Sequence, residues 1–334
     1  MKSGENMTTK SKVLSLLEKN KGYHISGESM AQQLGVSRNA VWKAIKELEK
    51  DGHLIEAVTK KGYVLSDECD VLSVEGIRFH LREDFSHDIY VYDKLESTNK
   101  TAKEMAMAGA KHGTVVIANE QTAGRGRFDR KFHSPANSGI YMSIILKPND
   151  MWLKRITLTT LFAAICVCEV LEETTKKEPK IKWVNDIFLN GLKICGILTE
   201  AVMDFESGEI GWVVVGIGIN ISVNDFPVEI NNIAGVVYNG EKQTVTRNNI
   251  IAEVIKRLTS HVVRNEAEII EQYKKRLFIV GKKVLVNVSE YPFEAEVIDV
   301  GEEGQLLIKK ENGEIVGLTA GEVSIIVSQK RKKG

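Results

Sequence analysis

The sequence has no surplus of charge of either sign: 45 lysines and arginines balance 45 aspartates and glutamates among 334 residues. A global cationic field for nucleic acid is therefore excluded, and any basic footprint must be local. Cysteine is scarce. Cys69, Cys166, Cys168 and Cys195 lack the C-x-x-C spacings of a zinc ribbon and are too few for a disulfide scaffold. They read as reduced thiols of a cytoplasmic protein. No stretch approaches the roughly eighteen uninterrupted apolar residues of a membrane span, and the polar start does not suit a signal peptide. The G-x-x-x-x-G-K-[ST] phosphate loop is missing. Gly216-x-Gly218 lacks the spacing of a dinucleotide fingerprint, and Gly124-x-Gly126 is too basic and has no third glycine. The seven histidines are scattered, and no metal cluster is visible.

What is there is a chain long enough for two or three domains, with 43% hydrophobic residues to build their cores. Val13, Leu14, Leu16 and Leu17 predict a helix over Lys10 to Glu18. Ile25, Met30, Ala31 and Leu34 predict a second, closed by Gly35. Ser37 can cap a third, whose inward face is Val41, Ile45 and Leu48. Gly35 between two short helices is a helix-turn-helix signature. The segments 53–58 and 62–65 then predict a hairpin with Lys60 and Lys61 at its tip, a wing. Arg38 and Asn39 stand where base edges are met, and Lys43, Lys46, Lys60 and Lys61 suit phosphates, so DNA is the expected partner. The polar stretch Ser66 to Asp70 marks a boundary.

The middle is organised around Gln121 to Phe132, which holds three arginines, one lysine and two glycines. Glycine adds mobility, and arginine offers a rigid fork of donors for phosphate or carboxylate. Apolar strands flank it at 115–118 and 140–146, so the reading is a cationic flap on a rigid scaffold. Strand 89–92 leads into Glu96-Ser97-Thr98-Asn99, where Ser97 or Thr98 caps a helix or reaches a ligand. Met151 to Leu171 is a long apolar helix. A strand over 181–189 carries Lys182-Trp183-Val184-Asn185-Asp186, and Asn190-Gly191 predicts a tight hairpin. Lys193 interrupts the apolar return strand, either snorkelling to water or meeting an anion. Strand 212–220 has thin residues at Gly216 and Gly218 and ends in Asn220. Helices are expected over Thr246 to Arg264 and Glu266 to Arg276. Four strands, at 283–288, 293–300, 306–309 and 323–327, predict a small all-β barrel followed by the basic tail Lys330 to Lys333.

Four of these motifs, in this order behind a winged helix, resemble the bifunctional biotin–protein ligase and biotin-operon repressor (BirA) family. They are Glu96-Ser97-Thr98-Asn99, Gly124-Arg125-Gly126-Arg127, Lys182-Trp183-Val184-Asn185-Asp186 with Lys193, and Gly216-Ile217-Gly218-Ile219-Asn220. The resemblance covers nearly the whole chain. It implies a multidomain α+β protein. A winged helix-turn-helix would occupy residues 1–66 and a linker 67–74. A mixed sheet with helices, like that of class II aminoacyl-tRNA synthetases, would span 75–276, and a small SH3-like barrel 277–330. It also implies the chemistry: biotin and ATP, with Mg2+, give biotinyl-5′-AMP, whose acyl group passes to a lysine of the biotin carboxyl carrier protein.

By the same resemblance, Ser97, Thr98 and Gln121 bind the biotin head group, with Asn99 beside them. Arg125, Arg127 and Arg130 lie in the loop that orders over the adenylate, and Gly124 and Gly126 give it mobility. Lys193 meets the reacting carboxyl and the α-phosphate. Trp183, Asn185 and Asp186 support the nucleotide, with Gly196, Gly218 and Asn220 around it. The adenylate-bound form is expected to dimerise through the core and occupy a two-fold operator. The chain departs from the family at Asp129, commonly glycine, at Phe132, commonly tryptophan, and at Val184, commonly proline. Asp129 is expected to pair with Arg127 or Arg130. Three alternatives stand beside this reading: a ligase whose winged helix regulates something else, a lipoate or octanoate ligase, and a ligand-sensing transcription factor without turnover.

Overall fold

The computed structural model describes residues 7–81, 85–148, 155–204, 207–223, 225–260, 265–288 and 291–326. Met151, Arg264, Val327 and the tail Lys330 to Lys333 lie outside those residues. The N-terminal unit has helices α1 (Thr9–Lys19), α2 (Gly27–Leu34) and α3 (Arg38–Lys50) and strands β1 (Ile55–Val58) and β2 (Gly62–Leu65). Thr8, Ser26 and Ser37 each accept a backbone N–H three residues on, so all three helices start at a side-chain cap, each worth about 1 kcal/mol. Gly35 ends α2 in the left-handed conformation at φ 64. Val13, Leu17, Met30, Val41, Ile45 and Leu48 form the core of this unit. β1 and β2 pair antiparallel into the expected wing, with Lys60 at φ 67 in its turn. Cys69 packs into the same core, four residues past the wing.

Residues 70–73 then fasten to the rest of the chain. Helix α4 (Val74–His80) follows, then β3 (Ile89–Leu95), α5 (Thr98–Met107), β4 (Thr114–Gln121), β5 (Gly139–Leu146), α6 (Ile156–Thr175), β6 (Lys180–Lys182), β7 (Asp186–Leu189), β8 (Leu192–Met203), β9 (Ile210–Asn220), α7 (Arg247–Thr259) and α8 (Glu266–Arg276). The Asp70 carboxylate accepts the Arg247 backbone N–H at 2.6 Å and its Nε at 2.7 Å. Arg247 Nη2 donates to the Asp70 carbonyl, and Nη1 to Gly139 O and Asn119 Oδ1. Asn248 adds a bond from its Nδ2 to Val71 O at 2.9 Å.

The central sheet has the order β3-β4-β5-β9-β8-β7-β6; β3 and β4 are parallel and every other pair is antiparallel. Side chains alternate between its faces. Val115, Ile117, Ile140, Met142 and Ile144 join α6, α7 and α8 in the main core, while Val116, Ile145 and Val214 pack with Ala102 and Ala106 of α5. The segment expected as one strand over 181–189 is two strands with a turn at Trp183 to Asn185, and Lys182 pairs with Asp186 across it. The Trp183–Val184 peptide is cis. Asn190 and Gly191, at φ 52 and 82, make the predicted hairpin turn.

The C-terminal unit comprises β10 (Lys283–Asn287), β11 (Phe293–Val300), β12 (Leu306–Lys310), β13 (Ile315–Leu318) and β14 (Glu322–Ile325), in the antiparallel order β13-β12-β11-β10-β14. It has one strand, β13, that the sequence did not announce. Its inner residues Val284, Val286, Val297 and Ile308 are continuous with the main core. Trp183 Nε1 donates to Gly304 O at 2.9 Å, and this joins the turn after β6 to the C-terminal sheet.

Candidate active site

One cavity gathers most of the residues singled out in the sequence. Its walls include Ser97, Thr98, Asn99, Gln121, Arg125, Gly126, Arg127, Arg130, Trp183, Asn185, Asp186, Lys193, Gly196, Gly218 and Asn220. Gly124 is not on the wall. It is buried where a Cβ would meet Phe132 O at 2.6 Å, so glycine is needed there for close packing.

At one end the start of α5 meets β4. Ser97 occupies the N-cap position without capping, which leaves its hydroxyl for the cavity. The Thr98 backbone N–H donates to Gln121 Oε1 at 2.8 Å, and Gln121 Nε2 donates to Ser134 Oγ at 2.9 Å. Asn99 lies beneath. Its Nδ2 donates to Leu198 O and Glu200, and its Oδ1 lies 2.7 Å from Ser143 Oγ. Gly216 is glycine because a Cβ there would sit 1.9 Å from Asn99 Oδ1. Asn99 therefore supports this end of the cavity with its amide already satisfied.

The Phe132 ring covers the floor. A Cβ on Gly218 would lie 2.5 Å from it, and one on Gly196 3.4 Å. The thin residues of β8 and β9 thus make room for an aromatic ring from the basic loop. Asn220 closes β9. Its Nδ2 donates to Gly235 O at 3.1 Å, while its buried Oδ1 has no hydrogen-bond partner among the described residues. An orphaned acceptor in a cavity wall asks for a donor from a ligand.

The other end is cationic. Lys193 Nζ lies 2.6 Å from Asp186 Oδ1, and the strand residue itself is pinned by Ile233 O and the Gly235 N–H. Its interruption of the apolar strand therefore places an ammonium in the cavity. Arg127 Nη1 donates to Asn185 Oδ1 at 3.4 Å. Burial is the largest influence on the Arg127 guanidinium and lowers its pKa, opposed first by Asp186. Arg130 forms a bidentate pair with Glu322 at 2.6 and 2.5 Å, so the basic loop is tied to β14. Asp129 pairs with neither Arg127 nor Arg130. It is exposed, 3.9 Å from Arg125, and both it and Phe128 have positive φ, 54 and 55. A backbone of that kind explains why glycine suits position 129, and aspartate tolerates it better than most residues.

Several wall residues had no functional reading in the sequence: Lys182 as a cavity cation, Phe226, Ile230, Ile233 and Glu322. Three of them lie in the long connection between β9 and α7. A connection of that length inside a compact unit is itself a signal of function.

On the N-terminal unit, Arg38, Asn39, Lys43, Lys46, Lys60 and Lys61 are all exposed. Asn39, Lys43 and Lys46 share one stripe of α3 by their spacing. Trp42, 50% exposed, lies in the same stripe and was not singled out in the sequence.

A helix-turn-helix unit ahead of a mixed-sheet core with an anion-ready cavity defines a DNA-binding domain joined to a ligase-type domain. Residues 9–64 match the HTH domain model, and residues 91–220 match the Biotin/lipoate A/B protein ligase family. The chain is 38% identical over 297 residues to the bifunctional ligase/repressor BirA of Bacillus subtilis (strain 168), which spans 86% of this chain and 90% of that one. It is 28% identical over 331 residues to the protein of the same description from Escherichia coli (strain K12), across 96% and 98% of the two chains. The solved biotin protein ligase from Aquifex aeolicus, in complex with biotin and ATP, is 26% identical. It superposes with a TM-score of 0.60 over 72% of this chain and 99% of its own. The chain belongs to the bifunctional ligase/repressor BirA family.

Proposed function

We propose that the protein is an ATP-dependent biotin–protein ligase acting through biotinyl-5′-AMP, and a biotin-responsive repressor. The observation that carries the ligase reading is the polarity of the cavity. Neutral hydrogen-bonding groups of Ser97, Thr98 and Gln121 line one end, and Lys193, Arg125 and Arg127 line the other. That arrangement suits a molecule with an uncharged polar head and a carboxylate to be joined to a phosphate.

In the proposed first step a biotin carboxylate oxygen bonds to the α-phosphorus of ATP, and the bond to the bridging oxygen of pyrophosphate breaks. Two anions must approach each other, so cations have to screen them and hold the developing charge. Lys193 does this by exchanging Asp186 for substrate oxygens, with Arg125 and Arg127 above. Asn220 Oδ1 accepts from the nucleotide. Magnesium arrives on the phosphates of ATP as part of the substrate. Phe132 and the basic loop keep water from the mixed anhydride. In the second step a lysine amine of a biotin carboxyl carrier protein attacks the acyl carbon. An amide forms and AMP leaves with the bonding electron pair.

The repressor half uses Arg38 and Asn39 for base edges and Lys43, Lys46, Lys60 and Lys61 for phosphates, in an adenylate-bound homodimer on a two-fold operator. No helix among the described residues is long and apolar enough to cross a membrane. A cytoplasmic location fits four buried free cysteines.

Purified protein with ATP, magnesium, biotin and a carrier domain should raise the carrier's mass by one biotinyl group. Gain with lipoate and none with biotin would replace this reading, and no turnover with either would leave a ligand sensor. Lys193→Ala should abolish adenylate formation, read as biotin-dependent release of pyrophosphate; near-normal release would remove Lys193 from the mechanism.

A further inference from the structure

The cations of the cavity are not equally engaged. Lys193 is paired with Asp186, Arg127 with Asn185 and Arg130 with Glu322. Arg125 is exposed at the rim beside Asp129. Lys182, the last residue of β6, also lines the cavity and is half-buried. Its ammonium lies 5.7 Å from the centroid of the Phe188 ring and, among the described residues, has neither a hydrogen bond nor an ion pair. Burial lowers its pKa, and the nearest carboxylates, Asp186 and Glu322, are already claimed by other cations. A desolvated cation without a counter-ion is costly unless a ligand supplies one.

The sheet shows which part of the ligand that is. Gln121 ends β4, Gly218 lies in β9, Gly196 and Lys193 lie in β8, and Lys182 ends the edge strand β6. Neighbouring strands are about 4.8 Å apart, so Lys182 stands two strands, roughly 10 Å, out from Gly196 of β8 in register through Asp186, on the side away from Gln121. With a polar head group at Gln121 and the carboxyl and α-phosphate at Lys193, the next group outward is the β,γ-diphosphate. Arg130 and Glu322 flank that position from the loop and β14.

We propose that Lys182 binds the pyrophosphate leaving group, and so acts in adenylate formation but not in acyl transfer. This rests on the ligase reading above. As the bridging P–O bond breaks, negative charge grows on the departing diphosphate, and the Lys182 ammonium meets it with no competing partner to displace.

The test separates the two half-reactions. Lys182→Gln and Lys182→Ala are assayed for adenylate formation from ATP and biotin, for its reversal by added inorganic pyrophosphate, and for transfer from supplied biotinyl-5′-AMP to the carrier. Adenylate formation and its reversal should both slow by about 10²–10³-fold, the usual effect of removing one group that stabilises developing charge. Transfer should stay within about two-fold of wild type, because no phosphate leaves the β,γ position in that step. Lys182→Arg should recover most of the adenylation rate. Unimpaired adenylation, or equal loss of both half-reactions in variants with a wild-type melting transition, overturns the proposal. A wild-type protein that performs neither half-reaction overturns the ligase reading instead.

Discussion

Replacing Arg247 with methionine should destabilise the protein by about 3 kcal/mol, the low end of the range for breaking a buried ion pair. The low end applies because the two partners are unequally covered. The Arg247 side chain is 3% exposed and that of Asp70 is 23% exposed. Methionine keeps the apolar stem and the backbone N–H to Asp70 but removes the guanidinium's donations to the Asp70 carboxylate and carbonyl, to Gly139 O and to Asn119 Oδ1, so the Asp70 carboxylate loses its counter-charge. Asp70→Asn alone should cost a similar amount, since the guanidinium then stays buried without its counter-charge. The double variant should recover about 1–2 kcal/mol of the summed losses, because neither charge is then stranded. Calorimetry of the full chain at low and high salt would measure this, with little salt dependence expected for a pair so covered. Limited proteolysis between Leu65 and Ser73 should quicken in each single variant. A loss below about 1 kcal/mol, the value of an exposed pair, would refute the claim that this contact fastens the interdomain segment.

Gly218→Val should lower biotin affinity by more than about ten-fold in calorimetric titration, because the new side chain enters the space of the Phe132 ring; Phe132→Ala should restore part of it. Burial lowers the His53 pKa to about 4 from its ordinary 6.5. The unfolded chain takes up that proton first on acidification, so stability is lost as pH falls from 6.5 towards 4, by about 3 kcal/mol in all. Melting of the winged-helix unit should follow that slope, and His53→Gln should flatten it. Lys60→Asn with Lys61→Gln should weaken binding to all DNA duplexes and reduce the dependence on salt by about one to two in slope. Asparagine keeps the positive φ of position 60 at little cost.

The helices of the winged unit were legible because each begins at a serine or threonine that caps it and buries a face with helical spacing. Asn190-Gly191 announced its hairpin for an equally local reason. Lys182 to Asp186 was not legible as a turn. Its valine, and Ile181 and Ile187 on either side, look like strand, and only pairing with β8 and contact with Gly304 decide where the chain reverses. Strand β13 escaped notice because it is only four residues long: Ile315 and Gly317 are exposed, Val316 is partly covered and Leu318 is buried, an alternation too short to stand out. The cavity's polar motifs could be read because charge inside an apolar strand needs a reason, as at Lys193. Phe226 and Ile230 could not, since an apolar residue in a connection carries no sign of what it faces. Asp129 shows the converse limit: its charge invited a pairing that the backbone does not deliver.

The pair between Arg130 and Glu322 has a consequence for chimeras. A C-terminal sheet taken from a relative brings its own residue at position 322, and that residue must suit a loop more than 190 positions earlier in the chain. A transplant that alters residue 322 alone leaves the Arg130 guanidinium without its carboxylate. The lid and the last sheet are therefore inherited as one part, and domain boundaries drawn between them divide a single working surface.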